Sequence, residues 1–226
     1  MYPIKMYLIH GVDTSREARM INEFKSAGID LSGVEWIRHP NKDEITDSLF
    51  NQIVNHSPYM SCGVYIPPGN VSRGVASCSF KHYLALEDII NNKYEYAVIM
   101  EDNMKFFNGI NIPDRLNKYI DQLNSMYPDW DVLFDLNYGI SDHVLLEGQY
   151  VYPKTNEITQ LSLGGTRCAQ FYLLRYKCAE KLYENYLPFN HAPDWWMNDL
   201  FRKLNIKSFW ADPPAVDMWP HTSTAN

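Results

Sequence analysis

Apolar residues in the first forty positions alternate between short continuous runs and helical spacing. Ile4–Ile9 is a strand-like run, and the residues of His10–Ser15 are typical of a turn followed by a helix start. Helical spacing then predicts a helix over about Arg16–Ala27 that ends at Gly28, and Val34–His39 is predicted to be a second strand. This order predicts the βαβ unit of a parallel α/β sheet.

The same alternation continues along the rest of the chain. Tyr96–Met100 is a short apolar run bounded by polar residues, as in a buried central strand. Residues 137–160 are expected to form loops and short hairpin strands, since Gly139, Gly148 and Pro153 interrupt them. The other predicted helices are Cys78–Asn91, Asp114–Tyr127, Cys178–Tyr186 and a segment ending near Leu204, and the other predicted strands are Asp131–Leu136, Gln160–Leu163, Ala169–Leu174 and Ile206–Trp210.

No internal repeat, low-complexity tract or linker divides the sequence. We therefore expect a single α/β domain over residues 1–226, with a Rossmann-like, mostly parallel central sheet flanked by helices. The 226 residues are 46% apolar, which is enough for a buried core and argues against disorder.

Charge and cysteine spacing narrow the class of protein. The net charge of −7 disfavours a surface that tracks phosphates, so no nucleic-acid partner is expected. No stretch approaches the roughly 20 apolar residues of a transmembrane helix, and the N-terminus lacks the layout of a signal peptide, which predicts a soluble, cytoplasmic protein. The cysteines form no CxxC pair and are expected to be buried free thiols; they are Cys62, Cys78, Cys168 and Cys178.

Candidate chemistry follows the predicted central strand directly. Glu101, Asp102 and Asn103 come at its end, and ligands of open parallel sheets bind beyond the carboxyl ends of the strands. Two adjacent carboxylates there are costly unless a divalent cation offsets their repulsion. The alternative is that one of them caps the following turn in water. Arg73 and Lys81 flank the start of the preceding helix, where backbone N–H groups favour anions.

Two segments carry a resemblance to a known family. Arg73–His82 and Glu95–Asn103 resemble the centre of glycosyltransferase family 25, the lipooligosaccharide and procollagen galactosyltransferases, which shows a Gly-x-x-x-Cys-x-x-Ser-His-like helix start and then a strand ending in Glu-Asp-Asp. Asn103 departs from this pattern at the last Asp. Further pieces resemble the family in order along the chain: Met6–Arg19, Asp129–Leu133, Gly164–Thr166, Phe171–Leu173, Ala179–Leu182, Pro193–Trp196 and Pro214–Thr224.

The resemblance implies a GT-A fold that transfers a hexose, galactose or glucose, from a UDP-sugar to a hydroxyl of a glycan or protein acceptor with inversion, using Mn²⁺ or Mg²⁺. On this basis Asp102, Asn103 and His221 are the predicted metal ligands, although Asn103 brings no charge and His221 is equally well explained as a surface histidine. The residues expected to contact the donor are His10, Arg19, His82, Glu101, Asp102 and Asn103. Alternatives are a structural role for His82 and a solvated helix face for Arg19 or Arg16.

Inverting transfer also needs a base and an acceptor site. Asp194 is the predicted base, with Asp199 in reserve, and Trp195 and Trp196 are predicted to stack on the acceptor sugar. Alternatives are a helix N-cap for Asp194 and core packing for the tryptophans. A second function hypothesis is a carbohydrate-binding protein that keeps the scaffold and has lost the reaction. A nucleotidyltransferase is disfavoured because no Gly-rich, basic phosphate loop follows the first strand.

Overall fold

The computed structural model describes residues 1–61, 64–66, 69–135, 151–153, 157–165 and 168–219. Within these ranges strands and helices alternate as the hydrophobic pattern predicts. The helices are α1 (Thr14–Ser26), α2 (Asp47–Ile53), α3 (Arg73–Asn92), α4 (Ile112–Met126), α5 (Tyr176–Tyr186) and α6 (Pro193–Lys203). The strands are β1 (Ile4–Ile9), β2 (Val34–Ile37), β3 (Tyr59–Ser61), β4 (Val64–Ile66), β5 (Tyr96–Glu101), β6 (Met104–Phe106), β7 (Val132–Phe134), β8 (Ile158–Gln160), β9 (Phe171–Arg175), β10 (Ser208–Ala211) and β11 (Val216–Met218).

Seven strands form the central sheet, in the order β2-β1-β5-β9-β7-β10-β8. β1 is parallel to β2 and β5, and β10 is parallel to β7. β9 runs antiparallel to both β5 and β7, and β8 runs antiparallel to β10. The prediction of an α/β fold with flanking helices is confirmed. The central sheet is mixed: β9 and β8 run opposite to the other five strands. Strand direction is set by long-range pairing and leaves no trace in the local hydrophobic pattern.

Side-chain caps decide where the first long helices begin. Asp13 accepts a hydrogen bond from the backbone N–H of Ser15, so α1 starts at Thr14. Ser72 caps α3 in the same way through the N–H of Val75. The helix therefore begins at Arg73, five residues earlier than predicted, and its first turns carry small and polar side chains that face the sheet edge.

The parallel register of β1 and β5 creates the site. Ile9 is the partner of Glu101, so the next residues, His10 and Asp102, leave the sheet side by side. Residues 6–9 of β1 and residues 96–100 of β5 are buried, so both strands are packed in the core up to the point where the site begins.

A buried ion pair ties the C-terminal segment to the same edge of the sheet. Arg115 of α4 donates through Nε to Asp135 over 2.8 Å, and Asp135 also accepts the backbone N–H of Ala215 over 2.6 Å. Burial raises the pKa of Asp135 despite this hydrogen bond from Arg115. Beyond Ala215, β11 pairs with β6, and the N–H of Trp219 donates to the carbonyl of Asn103 over 2.8 Å.

Three cysteines are free thiols, as predicted: Cys178 is buried, whereas Cys78 and Cys168 are half-buried. Cys62 lies outside the described residues, as does most of the 137–160 segment that was predicted to form loops and hairpins. In the described part of the chain, no helix is both long and apolar enough to cross a membrane.

Candidate active site

A cavity of about 320 Å³, most of whose lining residues are polar or charged, opens where β1 and β5 end. Its inner wall combines the turn after β1, the turn after β5 and one face of α3, while residues 41–43 form part of its rim. Its lining residues are Ile9, His10, Gly11, Val12, Asp13, Arg16, Asn41, Lys42, Asp43, Gly74, Ser77, Cys78, Lys81, Glu101, Asp102 and Asn103. The position matches the rule that open α/β sheets bind ligands beyond the carboxyl ends of their strands.

The carboxylate of Asp102 is held by the side chains of an arginine and a histidine. Arg16 donates through Nη1 to Oδ1 over 2.8 Å, and Nδ1 of His10 lies 2.8 Å from Oδ2. Burial opposes ionisation of Asp102, but the hydrogen bond from His10 and the charge of Arg16 outweigh it, so the pKa of Asp102 lies below its usual value. Asp102 is therefore a fixed anion whose charge is already balanced by a neighbouring guanidinium.

Asn103 and Arg19 lie next to this pair. Arg19 donates to the backbone carbonyl of Asp102 over 2.6 Å and stacks on the ring of Trp219, 5.0 Å from its centroid. Arg19 thus binds the backbone after β5 and does not lie on a solvated helix face. Asn103 lines the cavity, and its side-chain oxygen is buried without a hydrogen-bond partner in the described residues, which leaves a polar atom available to a ligand.

Glu101 faces α3 instead of Arg16. Its Oε1 is 3.2 Å from Nε2 of His82 and 3.9 Å from Sγ of Cys78, while Nδ1 of His82 is 2.9 Å from the hydroxyl of Tyr172. An ionised carboxylate accepts only, so His82 donates to Glu101 and accepts from Tyr172. Burial, and then the charge of Glu101, raise the pKa of the Cys78 thiol. His82 is therefore held inside the structure, and its hydrogen bond to Glu101 also orients that carboxylate.

Cys78, His82 and Glu101 have ligand atoms within 4.8 Å of one another, so this group has the donors for a borderline metal such as zinc. The hydrogen bond between His82 and Glu101 satisfies the same atoms without an ion. None of the three predicted metal ligands belongs to this group: Asp102 and Asn103 lie beside it, and His221 is outside the described residues.

Among the described residues, the predicted ligands of Mn²⁺ or Mg²⁺ are poorly suited to a hard cation. Asp102 is its charged member, and both of its oxygens are engaged by Arg16 and His10. A divalent cation bound there would meet the like charge of Arg16, and Asn103 adds no negative charge to compensate.

Lys81 is a member of the cavity wall that the sequence indicates only weakly. It is 3% exposed, and its ammonium donates to the carbonyl of His10 over 2.8 Å and to Oδ1 of Asn41 over 3.1 Å. Burial lowers the pKa of Lys81. Arg73, predicted to share its role, instead pairs with Asp47 at the first turn of α3 and is absent from the cavity lining. These two basic residues therefore do not form one anion site.

The predicted acceptor residues lie on the first turns of α6. Asp194 is in the first turn, after the cap residue Ala192, so it is not the N-cap. Its charge contributes, after burial and the charges of Glu101 and Asp102, to raising the pKa of Cys78. Trp195 stacks on His191, with ring centroids 5.7 Å apart. Both Asp194 and Trp195 are half-buried and accessible in part.

Trp196 and Asp199 lie on the same helix. Trp196 donates to the carbonyl of Tyr186 over 2.7 Å and contacts the ring of Tyr59, which ties it to the core. Burial lowers the pKa of His191, and the charge of Asp199 acts in the opposite direction. None of the four predicted acceptor-side residues, Asp194, Trp195, Trp196 and Asp199, contributes to the cavity lining.

The fold and the cavity define an α/β protein with a polar ligand site at the carboxyl edge of its sheet. The family model for Glycosyltransferase family 25 (LPS biosynthesis protein) matches residues 5–197, which include every described residue of the cavity. The chain therefore belongs to glycosyltransferase family 25. Membership makes it a glycosyltransferase, carries the GT-A assignment of the fold, and implies a nucleotide-sugar donor.

Other comparisons add little. No curated protein matches the chain. Among solved structures, "Crystal Structure of A197 from STIV" is similar over 99% of this chain and 97% of its own, with 12% sequence identity and a TM-score of 0.43. This superposition is too loose to support an argument about fold or function.

Proposed function

We propose that this family 25 enzyme transfers a hexose, galactose or glucose, from a UDP-sugar to a hydroxyl of a glycan or protein acceptor, with inversion, and that residues 1–226 act as one domain. The observation that supports it most strongly is the cavity itself. It joins the ends of β1 and β5, and it collects His10, Glu101, Asp102 and Asn103 in one place. His10 is 91 positions before the consecutive residues Glu101, Asp102 and Asn103, and the sheet brings the two segments together.

The donor nucleotide would occupy this cavity. In the proposal Glu101 accepts hydroxyl groups of the ribose, since His82 holds it at the wall with one oxygen still free to accept. Asp102 acts indirectly: it fixes Arg16 and His10 in orientation. Arg16 then provides fixed positive charge close to the diphosphate, where negative charge increases as the glycosidic bond breaks.

Asp194 is proposed as the base that takes the proton from the attacking hydroxyl, with Asp199 as the reserve candidate. Asp194 is half-buried in the first turn of α6 and is one residue from Trp195, an aromatic side chain of the kind that stacks on sugars. Trp196 is tied to the core through its ring N–H. In this proposal it therefore supports Trp195 more than it contacts the sugar.

Binding of Mn²⁺ or Mg²⁺ by Asp102, Asn103 and His221 remains a prediction. When bound, such an ion would neutralise charge on the leaving diphosphate. The described ligands fit it poorly for the reasons given above, so no step of the proposed reaction depends on it.

The test is donor hydrolysis across a panel of UDP-sugars, because hydrolysis requires no knowledge of the acceptor. We expect UDP release from UDP-galactose or UDP-glucose by the full chain, and loss of that release in the Glu101→Ala variant. Glycan binding without affinity for any nucleotide would instead favour the carbohydrate-binding alternative. The observation that motivates this alternative is Asn103, which stands where the family motif has its last Asp.

A further inference from the structure

We propose that Lys81, together with Arg16 and Asn103, binds the donor diphosphate directly, so that donor binding does not require a divalent cation. This inference rests on the proposed function and concerns the same cavity. It follows from three observations on the described residues: a buried cation that no carboxylate pairs with directly, a carboxylate that is already neutralised, and an amide where the family motif has an acid.

The buried ammonium of Lys81 has neutral partners. A carbonyl and an amide oxygen accept two of its three N–H bonds, and among the described residues no carboxylate forms an ion pair with it. Lys81 lines the cavity and is almost completely buried. Holding an ammonium there is costly unless an anion binds beside it, and a phosphate oxygen is an anion that the third N–H can reach from the cavity side.

The other charges of the inner wall leave Lys81 unmatched. Asp102 pairs with Arg16 at 2.8 Å, and Glu101 bonds to His82 at 3.2 Å. The remaining charged lining residues are exposed at the rim; they are Asp13, Lys42 and Asp43. A divalent cation would therefore find Asp102 already paired with Arg16 and the ammonium of Lys81 nearby, whereas a diphosphate would bring the negative charge that Lys81 lacks in a direct ion pair.

Asn103 and Lys81 favour an anion in the same cavity. Asn103 stands where the strand motif that the sequence resembles has its last Asp, so a negative charge is missing there. An Asp would repel a phosphate unless a cation bridged them, whereas an amide carries no charge and has an N–H that can donate to a phosphate oxygen. Asn103 and Lys81 both line the cavity, so they can act on one ligand.

The experiment measures binding of UDP and of uridine to the full chain by calorimetry, in chelator and in Mn²⁺. We expect UDP to bind in chelator with an affinity that Mn²⁺ changes less than about twofold. Removing one charge-assisted hydrogen bond in Lys81→Gln should weaken UDP by about tenfold and leave uridine unchanged. Lys177→Met, which removes a charge from the exposed face of α5, is the matched control and should behave as the wild type.

A second variant keeps the test valid if Lys81→Gln fails to fold. Asn103→Asp should weaken UDP binding in chelator and make it respond to Mn²⁺. UDP binding that requires Mn²⁺ in the wild type would overturn this inference and leave the proposed function standing. Absence of binding to UDP under every condition would contradict the proposed donor itself, and with it this inference.

Discussion

Arg16 and Asp102 form an ion pair at 2.8 Å, and their side chains are only 9% and 11% exposed. The two residues are 86 positions apart in the sequence, yet the parallel register of β1 and β5 brings the turns that follow these strands together. In the proposed function this pair makes Asp102 a partner that orients a cation, and contact with the donor falls to Glu101 and Asn103.

Breaking this pair should destabilise the fold. We expect Asp102→Asn to lower the free energy of unfolding at pH 7 by about 3 kcal/mol, because the buried guanidinium of Arg16 loses its counter-charge. Urea denaturation measures the change. Asp43→Asn, at the exposed rim of the cavity, is the control and should change stability by less than about 0.5 kcal/mol. A similar small effect of Asp102→Asn would show that the pair contributes little.

The same pair should make stability depend on pH. The folded-state pKa of Asp102 lies below the usual value, so its contribution is complete at neutral pH and is lost as the pH falls through the folded-state pKa. The difference in unfolding free energy between the wild type and Asp102→Asn should therefore shrink on acidification. A difference that stays constant down to strongly acidic pH would mean that ionisation of Asp102 is irrelevant.

Donor binding should weaken at alkaline pH. Burial lowers the pKa of Lys81, so this side chain loses its charge at a lower pH than an exposed lysine does. UDP affinity should fall over that range, while uridine, which shares the uracil and lacks the phosphates, corrects for titration of the base. If the ratio of the two affinities is independent of pH, Lys81 does not contact the diphosphate.

Cys78 should report occupation of the cavity. Burial raises the pKa of its thiol, so alkylation by a small reagent should be slow at neutral pH, accelerate at alkaline pH, and slow further when UDP is bound. Mass spectrometry of the modified peptides distinguishes it from Cys168, which is half-buried outside the cavity and serves as the internal control. Equal protection of both thiols would point to a general change in the protein instead of a ligand in this cavity.

Asp194 should affect the reaction far more than binding. As a general base it would contribute about 10²–10⁴-fold to the rate, so Asp194→Asn should reduce transfer by that factor with UDP affinity nearly unchanged. Asp199→Asn, on the same helix, is the comparison variant. If Asp199→Asn has the larger kinetic effect, the reserve candidate is the base; if both rates remain normal, the base lies elsewhere.

The order of elements and the location of the acidic motif could be predicted from local patterns. β1 was predicted at its observed bounds, and β5 differs from its prediction by one residue, because each is a continuous apolar run. The direction of β9 could not be predicted, since it depends on which strands it joins. The early start of α3 was missed although Ser72 carries the usual N-cap signal, because Arg73–Ser77 lacks an apolar stripe.

Of the predicted site residues, His10, Glu101, Asp102 and Asn103 line the cavity, whereas their contacts could not be predicted. The motif identified Glu101, Asp102 and Asn103, but the neutralisation of Asp102 depends on Arg16 and His10 across the sheet, a contact that no local pattern contains. Lys81 was noted for its place near a helix start, whereas its importance comes from a bond to a carbonyl 71 positions away. The roles of Asp194, Asp199, Trp195 and Trp196 remain predictions.

The most direct test of the central claim is to mix the purified chain with UDP-galactose and UDP-glucose in chelator and to follow UDP release and the anomeric form of the freed sugar by NMR. The account predicts release from at least one donor, with inversion, and its loss in Glu101→Ala. Intact donors after prolonged incubation, both in chelator and in Mn²⁺, together with no bound UDP, would contradict it.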